Sequence, residues 1–161
     1  MILDVAGSTP VTRPIFCRAK NMTQNYWLLK SEPSAWSWDQ QVACGIKGTH
    51  WSGVRNHLAK KHLMAMRVGD KGFFYHSNKG KEIVGIVEVI CEYYPDPTAE
   101  AGEPWVVVDV KAVSALPKPV SLAAIKAEGK LAKMSLVTSA RLSVQPVTEG
   151  EWKVVCRMGG K

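Results

Sequence analysis

The sequence predicts an α+β domain: a small, mixed β-barrel with short helices packed around it. Three observations carry that expectation. The chain has 161 residues, 46% of them apolar, enough for one domain with a real core. Aromatic and β-branched runs of strand length recur along it. Between them lie short segments opened by helix-capping residues.

In chain order, the first strand is Tyr26-Trp27-Leu28-Leu29-Lys30, halted at Ser31-Glu32-Pro33 because proline cannot continue a ladder. Ser37-Trp38-Asp39-Gln40 has the form of a capping box, which predicts a helix from Trp38 to about Ala43, ended by Gly45. Residues 46 to 56 read as a loop. A second helix runs from Asn56 to about Met66, with Leu58, Leu63 and Met66 inward and Lys60, Lys61 and Arg67 outward. Gly72 to His76 is a strand by aromatic content, and Ser77 to Gly80 is a turn. From Glu82 to Tyr94 a long strand puts Ile83, Gly85, Val87, Val89, Cys91 and Tyr93 on one face. Another spans Trp105 to Val113, with Val106, Val108 and Val110 on one side and Asp109 and Lys111 on the other. Leu116 to Val120 is extended by its prolines, and Ser121 caps a short helix that ends by Gly129. Residues 133 to 138 form a turn of helix or a loop. Arg141 to Gln145 is a short strand stopped by Pro146, and Thr148-Glu149-Gly150-Glu151 caps a last helix carrying Trp152, Val155 and Cys156 inward.

Lys and Arg outnumber Asp and Glu by 21 to 14, a net charge of +7. That balance favours a polyanionic partner, above all nucleic acid. No apolar run reaches the length of a membrane-spanning helix. Cys17, Cys44, Cys91 and Cys156 are widely separated, which predicts reduced thiols in a cytoplasmic protein. His50, His57, His62 and His76 match no zinc spacing, so neither a metal nor another cofactor is expected. Residues 1 to 24 carry Arg13, Arg18 and Lys20 against Asp4 alone, with Pro10 and Pro14 as breakers. They are expected to be a poorly ordered extension, either an upstream addition before Met22 or something like a transit peptide. The domain proper is expected over residues 25–158.

One stretch lacks apolar periodicity: Trp51-Ser52-Gly53-Val54-Arg55-Asn56. It combines an aromatic plane, a hydroxyl, a guanidinium and a carboxamide, the parts that stack on a base, read its edge and hold a phosphate. On its own it reads more readily as a tryptophan-anchored turn leading into a helix.

Taken with its neighbours, it becomes specific. Tyr26 to Pro33, Trp51 to Asn56, Phe74-Tyr75-His76-Ser77-Asn78, Tyr94-Pro95-Asp96-Pro97-Thr98 and Arg141 to Val147 occur in one order. Together they resemble the EVE domain family, over residues 25 to 158. The resemblance implies a PUA-like fold, related to YTH and ASCH domains, that accepts an extruded modified base, with modified cytosine in DNA favoured. Two departures stand out: a short stretch between Thr98 and Trp105, and Ser52 where many members carry Asp.

On this resemblance the base pocket comprises Ser31, Trp51, Ser52, Val54, Asn56, His76, Ser77 and Asn78. Trp51 is the stacking platform, and the polar groups satisfy the edge of a base that has lost its partner. Arg55, Lys60, Lys61, Lys79, Lys81 and Arg141 are the candidates for backbone phosphates. The expected protein is a monomeric, non-enzymatic reader. The rivals are an RNA reader with the same fold, a small-molecule binder, and a hydrolase using Ser31 or Ser77 with His76. The sequence holds no nucleophile elbow or phosphate loop.

Overall fold

Leu28 and Leu29 are neighbours on the first strand, point to opposite faces of it, and are both fully buried. A strand buried on both faces needs a layer on each, and that requirement organises the molecule. The computed structural model describes residues 24–161. The expectation for residues 1–24, Gln24 apart, falls outside the described residues.

The first strand, β1 (Tyr26–Ser31), pairs in parallel with β3 (Lys71–His76) and antiparallel with β6 (Val144–Val147). Outward from β3 come β4 (Glu82–Pro95), β5 (Val106–Ser121) and the two-residue β2 (Thr49–His50), giving one mixed sheet in the order β2-β5-β4-β3-β1-β6. One face buries Leu29, Phe74, Val87, Val108 and Val144 against helix α2 (His57–Ala65), which contributes Ala59 and Leu63. Since α2 packs on both β5 and β6, it spans the opening between the sheet's two ends. The other face buries Leu28, Phe73, Ile86 and Leu116 beneath α3 (Leu122–Ala127), α4 (Ser135–Thr138) and α5 (Glu149–Met158). Each fully buried Leu or Phe contributes about 1.5–3 kcal/mol.

The capping signals hold. Ser37 and Gln40 form the expected box at the start of α1 (Trp38–Ala43), and Thr148 and Glu151 form the one at α5. Asn56 caps α2 through its side-chain oxygen, and Ser121 caps α3.

Five expectations need correction. Leu58 is exposed rather than core, because the inward line of α2 runs through Ala59, Leu63 and the following Met66. The single face expected along β4 breaks up: Ile83 and Val87 belong to different cores, since β-bulges shift the register at Ile83/Gly85 and Ile86/Val87. Asp109 is buried, not outward, and accepts a hydrogen bond from the Tyr94 hydroxyl at 2.6 Å. β5 continues past Val113 to Ser121; its register jumps from Ala115 to Val120, and the two prolines fall in that gap. Finally, Pro146 lies inside β6. The strand tolerates it because β6 ends the sheet, so one of its sides carries no ladder.

Candidate functional site

At Ser31 the chain leaves β1 and closes a turn. The amides of Ala35 and Trp36 both donate to the Glu32 carbonyl at 2.9 Å, and the Ser31 hydroxyl donates to the Trp36 carbonyl at 2.5 Å. The indole N–H of Trp36 donates to Oε1 of Gln41 at 3.0 Å. Gln41 is fully buried and donates in turn to the Val110 carbonyl of β5 at 3.2 Å. The half-buried Trp36 is thus tied to the sheet through a core amide.

The facing wall depends on a glycine. Gly48 has φ +61°, and a Cβ there would lie 2.2 Å from the Val110 carbonyl oxygen. Glycine alone lets the chain approach β5 this closely. Thr49 and His50 then pair with Val110 and Asp109, and the Trp51 amide donates to the Val108 carbonyl at 2.8 Å. These contacts draw Trp51 inward to 5% exposure, with its ring edge-to-face on Phe74 at 5.4 Å. The expected open platform is therefore a buried wall: Trp51 belongs to the core and lines the site at once.

Beyond Trp51 the loop is pinned by Asp96. Its carboxylate accepts from the Gly53 amide at 3.1 Å, from the Arg55 guanidinium at 2.8 Å, and from the Thr98 amide and hydroxyl at 2.7 and 2.6 Å. Burial pushes the Asp96 carboxyl up, but the bonds from Thr98, Arg55 and Gly53 outweigh it and hold the group below its ordinary range.

Between the two walls lies a cavity of about 340 Å³, a size suited to a small flat ligand. Lys30, Ser31, Glu32, Ala35 and Trp36 line one side, and Thr49, His50, Trp51, Ser52 and Gly53 the other. The Thr49 hydroxyl is buried with no hydrogen-bond partner among the described residues. Lys30 donates to the Ala140 carbonyl and lies 5.8 Å from the Tyr75 ring centre, and burial lowers its pKa.

Of the expected pocket residues, Ser31, Trp51 and Ser52 come together in this cavity. The others stand behind or beside it. Val54 is core, Asn56 is the α2 cap, and Asn78, at φ 61°, makes the turn after β3. The Ser77 amide donates to the Ser31 carbonyl at 2.9 Å, which holds that turn against the end of β1. His76 accepts the Trp38 amide on Nε2 at 3.0 Å. Burial lowers its pKa, with Glu82 and Asp39 opposing. Ser31 and His76 are committed to backbone partners rather than to each other, so they are not arranged as nucleophile and base.

Among the expected phosphate contacts, Arg55 is engaged with Asp96 and sits 5.8 Å from the Trp105 ring centre. Lys61, Lys79, Lys81 and Arg141 are exposed, and Lys60 is half-buried. Arg141 follows Ala140, the acceptor of Lys30, while Lys79 lies in the turn bound to Ser31 and Lys81 follows it. Sequence reasoning passed over Lys30, Glu32, Ala35, Thr49, His50 and Gly53 as lining residues; it reads Trp36 and Trp38 as packing residues beside the capping box, one of them a candidate second wall, and Trp36 is the one that lines the cavity. Gly48 before Thr49 was the available signal for a close approach. Among the described residues, no group of three His, Cys, Asp or Glu side chains could hold a metal ion.

A mixed sheet layered by short helices, with an aromatic cavity beside the end of β1, defines a PUA-like α+β domain. A YTH domain from Zygosaccharomyces rouxii shares this fold, at TM-score 0.53 and 16% identity over 91% of this chain and 93% of its own. The chain belongs to the EVE domain family, whose model matches residues 25–158. Rat thymocyte nuclear protein 1 is 36% identical over 84% of this chain and 74% of its own length. A crystal structure of an Agrobacterium tumefaciens protein superposes at TM-score 0.83 with 60% identity, covering 84% of this chain and 93% of that one. Human THYN1, solved in complex with 5-methylcytosine-containing DNA, superposes at TM-score 0.79 with 33% identity, covering 86% and 99%.

Proposed function

We propose that this protein is a non-enzymatic reader of a modified base, with modified cytosine in DNA as the favoured target. The observation that carries this reading is the cavity of about 340 Å³ between Trp36 and Trp51, with Ser31, Thr49 and Ser52 on its walls. A base drawn out of a helix needs an aromatic surface for its face and polar groups for its edge, and this cavity supplies both. The likeness to human THYN1, whose complex contains 5-methylcytosine DNA, supports the same ligand class.

In this reading Ser31, Ser52 and Thr49 address the base edge. Trp36 and Trp51 supply the aromatic walls. Val54, Asn56, His76, Ser77 and Asn78 act behind them, fixing the loops that carry the lining. Lys79, Lys81 and Arg141 take phosphates beside the Ser31 wall, and Lys60 and Lys61 do so along α2.

Binding to DNA oligonucleotides that differ only in one modified base, with matched RNA strands as competitors, tests the reading. A preference for a modified cytosine over cytosine is expected. Trp36→Ala should weaken that binding by about 1–3 kcal/mol, the worth of one base–aromatic stack. Equal affinity across the whole panel, untouched by Trp36→Ala, would remove the cavity from recognition.

A further inference from the structure

Three hydroxyl-bearing residues line the cavity, Ser31, Thr49 and Ser52, and the first two differ in what they can still offer. A carbonyl oxygen only accepts, so the Ser31 hydroxyl spends its single proton on the Trp36 carbonyl. Toward the cavity, Ser31 therefore presents lone pairs and no donor. The Thr49 side chain lies on the facing wall, more than nine-tenths buried, and its hydroxyl has no partner among the described residues. It can still donate. A buried hydroxyl without a partner is costly, and a ligand that satisfies it recovers that cost.

An edge that matches this pair places a donor at Ser31 and an acceptor at Thr49. The exocyclic amines of cytosine and adenine are donors, whereas the corresponding oxygens of thymine, uracil and guanine are acceptors. In the amino bases the ring nitrogen next to the amine carries a lone pair. In the keto bases that nitrogen carries a hydrogen. We propose that Ser31 makes the cavity selective for an amino-bearing base edge by accepting from the exocyclic amine, while Thr49 donates to the adjacent ring nitrogen and adds affinity. Resting on the base-reader function above, this assigns the basis of its specificity. A keto oxygen brought against Ser31 would face lone pairs with lone pairs; the unpartnered Thr49 hydroxyl can turn to accept from an N–H, so the discrimination rests on Ser31.

Thymine and 5-methylcytosine share ring and methyl group and differ at this edge, so they isolate the effect. The experiment measures the full chain against single-stranded DNA oligonucleotides alike except at one position, which holds 5-methylcytosine, thymine or an abasic site. The wild-type protein is expected to bind 5-methylcytosine roughly tenfold or more tightly than thymine. If the abasic strand binds as well as 5-methylcytosine, no base enters the cavity and the reader function itself falls. If 5-methylcytosine and thymine bind alike, both above the abasic strand, the reader stands and the amino selectivity falls.

Variants then assign the residues. Ser31→Ala should bring the ratio of the two affinities close to one, and an unchanged ratio overturns the role of Ser31. Thr49→Val should weaken 5-methylcytosine binding by about tenfold while Thr49→Ser restores it; full affinity in Thr49→Val overturns the role of Thr49. The wild-type comparison and Thr49→Val decide the question even if Ser31→Ala loosens its turn enough to unfold.

Discussion

A methyl group at position 85 would sit 2.4 Å from the ring of Trp38, well inside contact distance. Gly85 on β4 thus makes the space for Trp38, whose ring in turn meets Phe74 edge-on at 5.3 Å. Gly85→Ala should cost about 1–3 kcal/mol through overpacking, read as a lower midpoint in denaturant. An unchanged midpoint would mean that the Trp38 ring moves aside freely. Trp51 makes a different point at the same scale. It is both core and cavity wall, so Trp51→Ala should cost stability, about 3–5 kcal/mol as for other buried aromatics, as well as binding. Trp152 stacks on Phe73 at 4.0 Å, on the opposite face of the sheet. Trp152→Ala should lower the melting temperature yet leave the affinity of the folded fraction intact. Loss of binding in both variants would break the link between Trp51 and the site.

Among the elements, the loop from Gly53 to Arg55 owes its position to a buried carboxylate. Asp96→Asn keeps the size of the side chain but weakens the bonds to Arg55 and Gly53. A loss of about 1–3 kcal/mol in stability is expected, with weaker oligonucleotide binding. Native-like stability and affinity would show that the loop holds without it. His76 anchors the start of α1 by accepting the Trp38 amide, which requires Nε2 to be unprotonated. Its folded pKa is depressed, chiefly by burial, below the ordinary 6.5. The unfolded chain therefore takes up the proton first. Stability from this contact is full above about pH 6.5 and falls as the pH drops through the folded pKa. Denaturation midpoints between pH 7 and about 5 should show this fall in the wild type and a smaller one in His76→Gln. Identical profiles would place the titration elsewhere.

These elements also show what a sequence discloses. The capped starts of α1, α3 and α5 were legible, because a cap is a local hydrogen bond between residues three apart; Asn56, read as the first residue of α2 and as a pocket group, is instead its cap. β2 was not: two residues have no periodicity, and they form a strand only because Gly48 lets them reach β5. For the same reason Thr49 and His50 escaped notice as lining residues. The bulges of β4 are set by its partner strand, so strict alternation from sequence gave the wrong face for Ile83 or Val87.

For the whole molecule, a net charge of +7 and exposed cations beside the cavity lead to a salt prediction. Log affinity should fall linearly with log salt, with a slope of about −0.7 per phosphate contacted on a single strand and −0.9 on duplex DNA. Lys79→Ala should reduce that slope by about one contact without changing the preference for the modified base. A slope near zero would argue against a polyanionic partner. The fold class, an α+β mixed sheet, was legible from strand-like runs and capped helices. Of the cavity, Ser31, Trp51 and Ser52 were legible through the family resemblance and the rest was not, because its walls come from segments about twenty residues apart, tied together through Gln41 and β5. The most direct test of this cavity as the base site is a structure of the protein bound to a DNA strand carrying one 5-methylcytosine. The modified base is expected out of its stack, between Trp36 and Trp51, with its amine against Ser31. A base that stays stacked in the strand, with the protein bound through its lysines alone, would contradict that role.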